Sequence, residues 1–179
     1  MKKVLIISTS MRIHGNSDRL ADEFMKGAVD GGHQVEKITL ANKDIQYCRG
    51  CLTCQKTHQC IIKDDTNEIV TKMMNADVVV FATPIYFYEM CGQMKTLLDR
   101  TNMGFASDYN FSEIYLIATC ADDDENAFDG CVTGLSGWIQ CFDKATLKGV
   151  IKGVDVTEVG DVLGKEQLLQ EAYIVGKNI

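Results

Sequence analysis

Short, nearly continuous apolar runs alternate along the chain with longer amphipathic stretches, and this alternation constrains the fold more than any other feature. Lys3 to Ser8 (KVLIIS) and Asp77 to Ala82 (DVVVFA) are apolar at almost every position, as a strand covered on both faces must be. Ser17 to Val29 reads as a helix capped by Ser17 and stopped at Gly31 and Gly32. His33 to Leu40 alternates apolar and polar, which suits a strand nearer the sheet edge, and Asp65 to Asn75 is a helix with Ile69, Val70, Met73 and Met74 on one face. The pattern continues with a helix over Met90 to Arg100, a strand over Ile114 to Thr119 and a helix over Phe128 to Phe142. A fifth strand over Ala145 to Val156 and a closing helix over Lys165 to Lys177 complete it. Five βα units predict an α/β fold, a parallel sheet with helices on both faces. No repeat, linker or low-complexity tract divides the 179 residues, so one domain over residues 1–179 is expected.

Charge narrows the partners. The formal net charge is −7, and nucleic acid or an anionic membrane would repel such a chain. No apolar run approaches bilayer-spanning length. Residues 1 to 30 lack the basic, apolar and small-residue segments of a secretory signal, so a cytoplasmic protein with reduced thiols is expected.

Against that background the eight cysteines divide into two groups. Cys91, Cys120, Cys131 and Cys141 stand apart in apolar surroundings and read as ordinary buried thiols. Cys48, Cys51, Cys54 and Cys60 follow the spacing C-x2-C-x2-C-x5-C, and four thiolates that close together can wrap one iron–sulfur cube. Zinc fits less well, because structural zinc sites take their ligands as two short pairs separated by a longer segment. A disulfide framework fits a reducing compartment least.

In open α/β sheets ligands lie beyond the carboxyl ends of the strands, at the point where strand order reverses. Two loops fall at such a point if the first and third strands are neighbours. The first, Ser8 to Ser17, joins a strand to a helix start with Ser10, Arg12, Gly15, Asn16 and Ser17, and it suits a phosphate held by helix N–H groups and side-chain donors. Neither G-x-G-x-x-G nor a P-loop lysine is present, so neither a dinucleotide fingerprint nor an NTPase is indicated. The second loop, Thr83-Pro84-Ile85-Tyr86-Phe87-Tyr88-Glu89-Met90, carries the one proline of the chain and three aromatics, a setting for a flat ring; packing under the next helix or at a subunit interface explains the aromatics equally well. His14 lies in the phosphate-type loop and reads as an exposed loop histidine rather than an anion donor, His33 and His58 have no partner in sequence that marks a metal or a general base, and Asp122 to Glu125 reads as a solvated helix start rather than a cation site or substrate border.

The string TPIYFYEMCGQMKTLLDR, Thr83 to Arg100, resembles the T-P-[VI]-Y-[WF]-x(3)-[SC]-[AG]-Q-M-K-x-[FL]-[IL]-D-R segment of the NAD(P)H-dependent FMN reductase and iron–sulfur flavoprotein family of the flavodoxin-like superfamily. The first loop is similar to the same family's G-S-P-R-x-x-G-N-[ST] phosphate loop, with Thr9 in place of glycine and Met11 in place of proline. Cys48 to Asp65 (CRGCLTCQKTHQCIIKDD) resembles the cysteine segment that carries a [4Fe–4S] cluster in iron–sulfur flavoproteins.

The resemblance implies a flavodoxin-like three-layer fold with a five-stranded parallel sheet in the order 2-1-3-4-5. It implies FMN held by Ser10, Arg12, Gly15, Asn16, Ser17, Thr83, Pro84, Ile85, Tyr86 and Phe87. Electrons would come from NAD(P)H and pass to a quinone, a flavin or a protein acceptor, with Cys48, Cys51, Cys54 and Cys60 as ligands of a [4Fe–4S] cluster, in a homodimer or homotetramer. The flavin itself supplies the redox chemistry, so no acid–base pair is required. Two other readings stand beside this one: a non-catalytic flavin and iron–sulfur electron carrier, and a flavin-free cysteine-rich module that binds metal or senses redox state.

Overall fold

A computed structural model describes residues 1–105 and 107–179. Five strands run parallel: β1 (Lys3–Ser8), β2 (Gln34–Thr39), β3 (Val78–Tyr86), β5 (Glu113–Thr119) and β6 (Thr146–Gly153). They lie in the order β2-β1-β3-β5-β6, the doubly wound order expected, and a two-residue strand β4 (Glu89–Met90) folds back antiparallel on the end of β3.

The apolar runs are continuous because the sheet is covered on both faces. Along β1, Val4 and Ile6 point to one helical layer and Leu5 and Ile7 to the other. Along β3, Val78, Val80 and Ala82 share the first layer, whereas Val79 and Phe81 share the second. The first layer consists of α1 (Asn16–Asp30) and α6 (Glu166–Lys177), which contribute Leu20, Phe24 and Ala172. The second consists of α3 (Thr66–Asn75), α4 (Gly92–Arg100) and α5 (Asp129–Ile139), whose Ile69, Met94 and Leu135 are fully buried. Each large side chain so buried contributes about 1.5–3 kcal/mol relative to exposure. A short helix α2 (Cys54–Thr57) lies in the cysteine segment.

Three expectations are corrected. Ser17 does not cap α1; Gly15 is the N-cap and Ser17 sits in the first turn. Thr83 to Tyr86 belong to β3 rather than to a loop, because β3 goes on pairing with β5 as far as Pro84 and then turns back against β4. Cys141 is exposed, since it lies in the turn that follows α5.

Candidate functional site

The strand order reverses between β1 and β3; β1 ends at Ser8, opposite Ala82, while β3 runs on to Tyr86. From there the loop Thr9 to Gly15 winds tightly into α1. Thr9 is anchored by two bonds to the Ala82 carbonyl, from its N–H at 2.8 Å and its hydroxyl at 3.0 Å. Its hydroxyl also meets Cys91 Sγ at 3.2 Å, so the departure from glycine here adds a link between the β1 and β3 ends. Ser10 Oγ accepts from the Arg12 N–H and donates to the Arg12 carbonyl, both at 3.1 Å, and Gly15 N–H donates to that carbonyl at 3.0 Å. A Cβ on Gly15 would stand 2.8 Å from Ser10 Oγ, which is why the turn takes glycine.

This winding leaves donors free. The first helical bond of α1 runs from Arg19 N–H to the Gly15 carbonyl, so the N–H groups of Asn16, Ser17 and Asp18 precede the first acceptor. Ser17 Oγ is buried and has no hydrogen-bond partner. A buried hydroxyl without a partner costs about 1–3 kcal/mol. Set among orphan N–H groups at the positive end of a helix, it fits a bound oxyanion.

The side chains of Arg12 in the loop and Asn16 at the start of α1 reach elsewhere. Arg12 Nη1 donates to the Thr157 carbonyl at 2.7 Å. The Asn16 amide donates from Nδ2 to the Glu158 carbonyl at 2.9 Å, and its Oδ1 accepts from the N–H groups of Gly160 and Val162, both at 3.2 Å. Both side chains tie the phosphate-type loop to the segment after β6.

Opposite this loop stands the end of β3. Pro84, Ile85 and Tyr86 line a cleft of about 160 Å³ together with Ser10, Arg12, Gly15, Asn16 and Ser17. Thr83 lies behind them, fully buried, and its hydroxyl accepts from the Cys91 N–H at 3.3 Å. Phe87 and Tyr88 form the two-residue turn between β3 and β4, both at positive φ (51° and 65°). Phe87 is 100% exposed, so it projects from the rim instead of lining the cleft. The Tyr88 hydroxyl donates to Asp122 Oδ2 at 3.0 Å; that bond raises the Tyr88 pKa, and the Asp124 N–H followed by the Tyr88 bond lowers that of Asp122.

Sequence reasoning missed the other two walls. Thr119 at the end of β5, Cys120 and Ala121 just after it, and Val156 and Thr157 after β6 complete the cleft. The small residues at the end of β5 were a usable signal, because the ends of parallel strands all open on one side. Burial pushes the Cys120 thiol up, and it donates to the Asp122 carbonyl at 3.3 Å.

The cysteine segment lies between β2 and α3. All eight cysteines are free thiols; Cys48 and Cys51 are exposed, Cys54 is buried and Cys60 half-buried. Burial raises the Cys54 pKa first, and the neighbouring Cys60, Cys51 and Cys48 raise it further. The Thr53 N–H is the main cause of a lowered Cys51 pKa. Among the described residues no three His, Cys, Asp or Glu side chains converge closely enough to hold a metal ion, so the four thiols form a donor set without a closed site. The segment ends at Asp64, which pairs with Arg100 of α4, and the guanidinium also lies beside the Cys60 thiol.

Fold and cleft together define a doubly wound α/β protein whose cleft at the switch point is lined by the start of α1 on one side and the end of β3 on the other. The family model for NADPH-dependent FMN reductase matches residues 2–125, and the chain belongs to that family. An iron–sulfur flavoprotein of Archaeoglobus fulgidus is 37% identical over 100 residues, 56% of this chain and 45% of that protein. A second iron–sulfur flavoprotein, from Methanocaldococcus jannaschii, is 38% identical over 99 residues, covering 55% of this chain and 51% of its own length. The matched stretches thus span about half the length of these relatives. Among solved structures, the NAD(P)H:quinone oxidoreductase from Methanothermobacter marburgensis superposes with a TM-score of 0.70 over 99% of this chain and 98% of that one, at 18% identity. At that identity the likeness concerns the fold.

Proposed function

We propose that the chain binds FMN non-covalently at the β1/β3 switch point and works as an oxidoreductase that takes electrons from NAD(P)H and passes them to a small-molecule or protein acceptor. The observation that carries this reading is the buried, unpartnered Ser17 hydroxyl among the first N–H groups of α1. Ser17, the α1 N–H groups and Ser10 would receive the phosphate. Pro84, Ile85 and Tyr86 would meet the ring system with rigid backbone and one exposed aromatic. The cleft of about 160 Å³ is too small to enclose a whole flavin nucleotide, so the planar part would rest at its mouth, open to a second reactant. Bound FMN supplies hydride acceptance and onward electron transfer; the protein orients it and limits access.

The donor set Cys48, Cys51, Cys54 and Cys60 supports a [4Fe–4S] cluster as a second redox group, and two relatives, 37% and 38% identical over 100 and 99 residues, carry the name iron–sulfur flavoprotein. Exposed Met11, Ile13, Tyr86, Phe87 and Tyr88 around the cleft support a homo-oligomer in which a second copy covers the rim. The carrier reading is the rival for which a specific observation speaks, because an exposed cysteine segment and an open cleft also suit electron exchange between proteins.

One experiment separates these readings. Protein loaded with FMN and mixed anaerobically with NADH or NADPH in a stopped-flow instrument should bleach its flavin absorption. Retention of FMN without bleaching by either nucleotide would favour the carrier, and failure to retain FMN would remove the flavin reading altogether.

A further inference from the structure

We infer that Asn16 is a positioning residue: its side chain latches the segment Thr157–Val162 onto the phosphate-type loop, with its oxygen and one amide N–H committed to that segment. The inference rests on the FMN reading for its consequence, while the latch stands on geometry alone.

A primary amide has one acceptor oxygen and two N–H donors. Asn16 is buried, and it directs its oxygen to the N–H groups of Gly160 and Val162 and one N–H to the Glu158 carbonyl. Three bonds from a single side chain therefore hold a segment more than 140 positions away in sequence. The segment is shaped to receive them. Asp161 Oδ2 accepts from the N–H groups of Thr157 and Glu158 at 2.8 and 2.7 Å, closing a turn. Gly160, at a φ of +98°, turns its N–H toward Asn16 in a conformation closed to most side chains. Arg12 adds a second tie through the Thr157 carbonyl.

The latched segment continues a wall of the candidate site, since its first residue Thr157 and the preceding Val156 line the cleft beside Ser10 and Ser17. Losing the latch would loosen that wall for any ligand, whether or not it carries a phosphate. A direct phosphate donor would instead matter only for the phosphorylated ligand, and this difference separates the two roles.

The test compares FMN with riboflavin by calorimetric titration of apoprotein, wild type against Asn16→Ala, with amide hydrogen exchange on the same ligand-free samples. Loss of three hydrogen bonds from a buried group should weaken both ligands by about tenfold or more, leaving their affinity ratio unchanged. Exchange at Gly160 and Val162 should accelerate by a similar factor. Asn16→Asp keeps the acceptor oxygens and lacks the donor, so it should protect Gly160 and Val162 better than the alanine variant. A ratio that collapses while riboflavin binding is unchanged would make Asn16 a phosphate donor and overturn the inference. Unchanged exchange at Gly160 and Val162 would overturn it independently of any ligand. Wild-type protein that binds neither flavin would refute the FMN reading while the exchange data still judged the latch.

Discussion

Asp64 and Arg100 form a bidentate ion pair, Nη1 to Oδ2 at 2.7 Å and Nη2 to Oδ1 at 3.0 Å, with side chains 0% and 1% exposed. Arg100 Nη1 also donates to the Gln46 carbonyl, and Asp64 accepts from the N–H groups of Gln46 and Thr66. The pair therefore pins both ends of the cysteine segment to the last turn of α4. Removing one partner leaves the other charged and dry, a loss of about 3–5 kcal/mol. Arg100→Leu should lower stability by that amount in urea titration, and Arg100→Lys should recover only part, since a single ammonium cannot reproduce the fork.

The same pair sets an acid dependence. Burial pushes the Asp64 carboxyl up, but the Arg100 guanidinium and the N–H groups of Gln46 and Thr66 outweigh burial and hold it at about 2. A carboxyl depressed below its unfolded value binds fewer protons folded than unfolded. Its contribution is therefore complete above the unfolded value near 4 and is lost as pH falls toward 2, a difference of about 2 kcal/mol. Denaturant titrations from pH 5 to pH 2 should show wild type losing that increment and Asp64→Asn, already less stable at pH 5, losing less over the same window.

Ser17 should separate binding from stability. Its hydroxyl is buried without a partner, so Ser17→Ala removes an unsatisfied group and should leave the melting temperature of the ligand-free protein unchanged or raised. FMN affinity should fall by about 1.5–3 kcal/mol, the range for a bond to a charged group, with riboflavin much less affected. Calorimetry with both ligands measures the two effects. An apoprotein clearly destabilised by the substitution would show that the hydroxyl has a structural partner.

The parts that were legible in the sequence are those fixed by neighbours along the chain. Lys3–Ser8 and Asp77–Ala82 declare buried strands by composition alone, and Ser10, Gly15 and Ser17 declare the strand-to-helix turn between β1 and α1. What escaped depends on distant contacts. The direction of the Asn16 amide is decided by Glu158, Gly160 and Val162, and nothing near position 16 reports them. The β3–β4 turn was hidden for a different reason, because Phe87 and Tyr88 occupy positions where glycine and asparagine usually signal a hairpin.

That turn carries strain. Left-handed backbone at a non-glycine residue costs about 1–3 kcal/mol, and Phe87 gains no packing in return because it is fully exposed. Phe87→Gly should raise stability by about 1 kcal/mol in urea titration. If Phe87 serves the oxidoreductase by contacting a nicotinamide or a second copy of the chain, the same variant should slow flavin bleaching or shift the oligomer toward monomer. A variant gaining stability with neither change would show the strain to be without function at this site.

The cysteine segment gives the remaining prediction. Cys48, Cys51, Cys54 and Cys60 are reduced and follow one another closely in the chain, and the Arg100 cation that interacts with Cys60 would offset part of the negative charge of a four-thiolate cluster. Two features oppose closure in the present arrangement: Cys48 and Cys51 face solvent, and no three ligating side chains converge among the described residues. Gly50 and Leu52, both at positive φ (63° and 56°), flank Cys51, and these tight turns are where the segment would fold inward. Anaerobic reconstitution with iron and sulfide should therefore load about four of each per chain. Cys54→Ala should abolish that loading while FMN binding persists, because Cys54 lies outside the cleft. Equal iron in wild type and variant would mark the metal as nonspecific, and no retained iron in either would leave a flavin enzyme with a cluster-free cysteine segment.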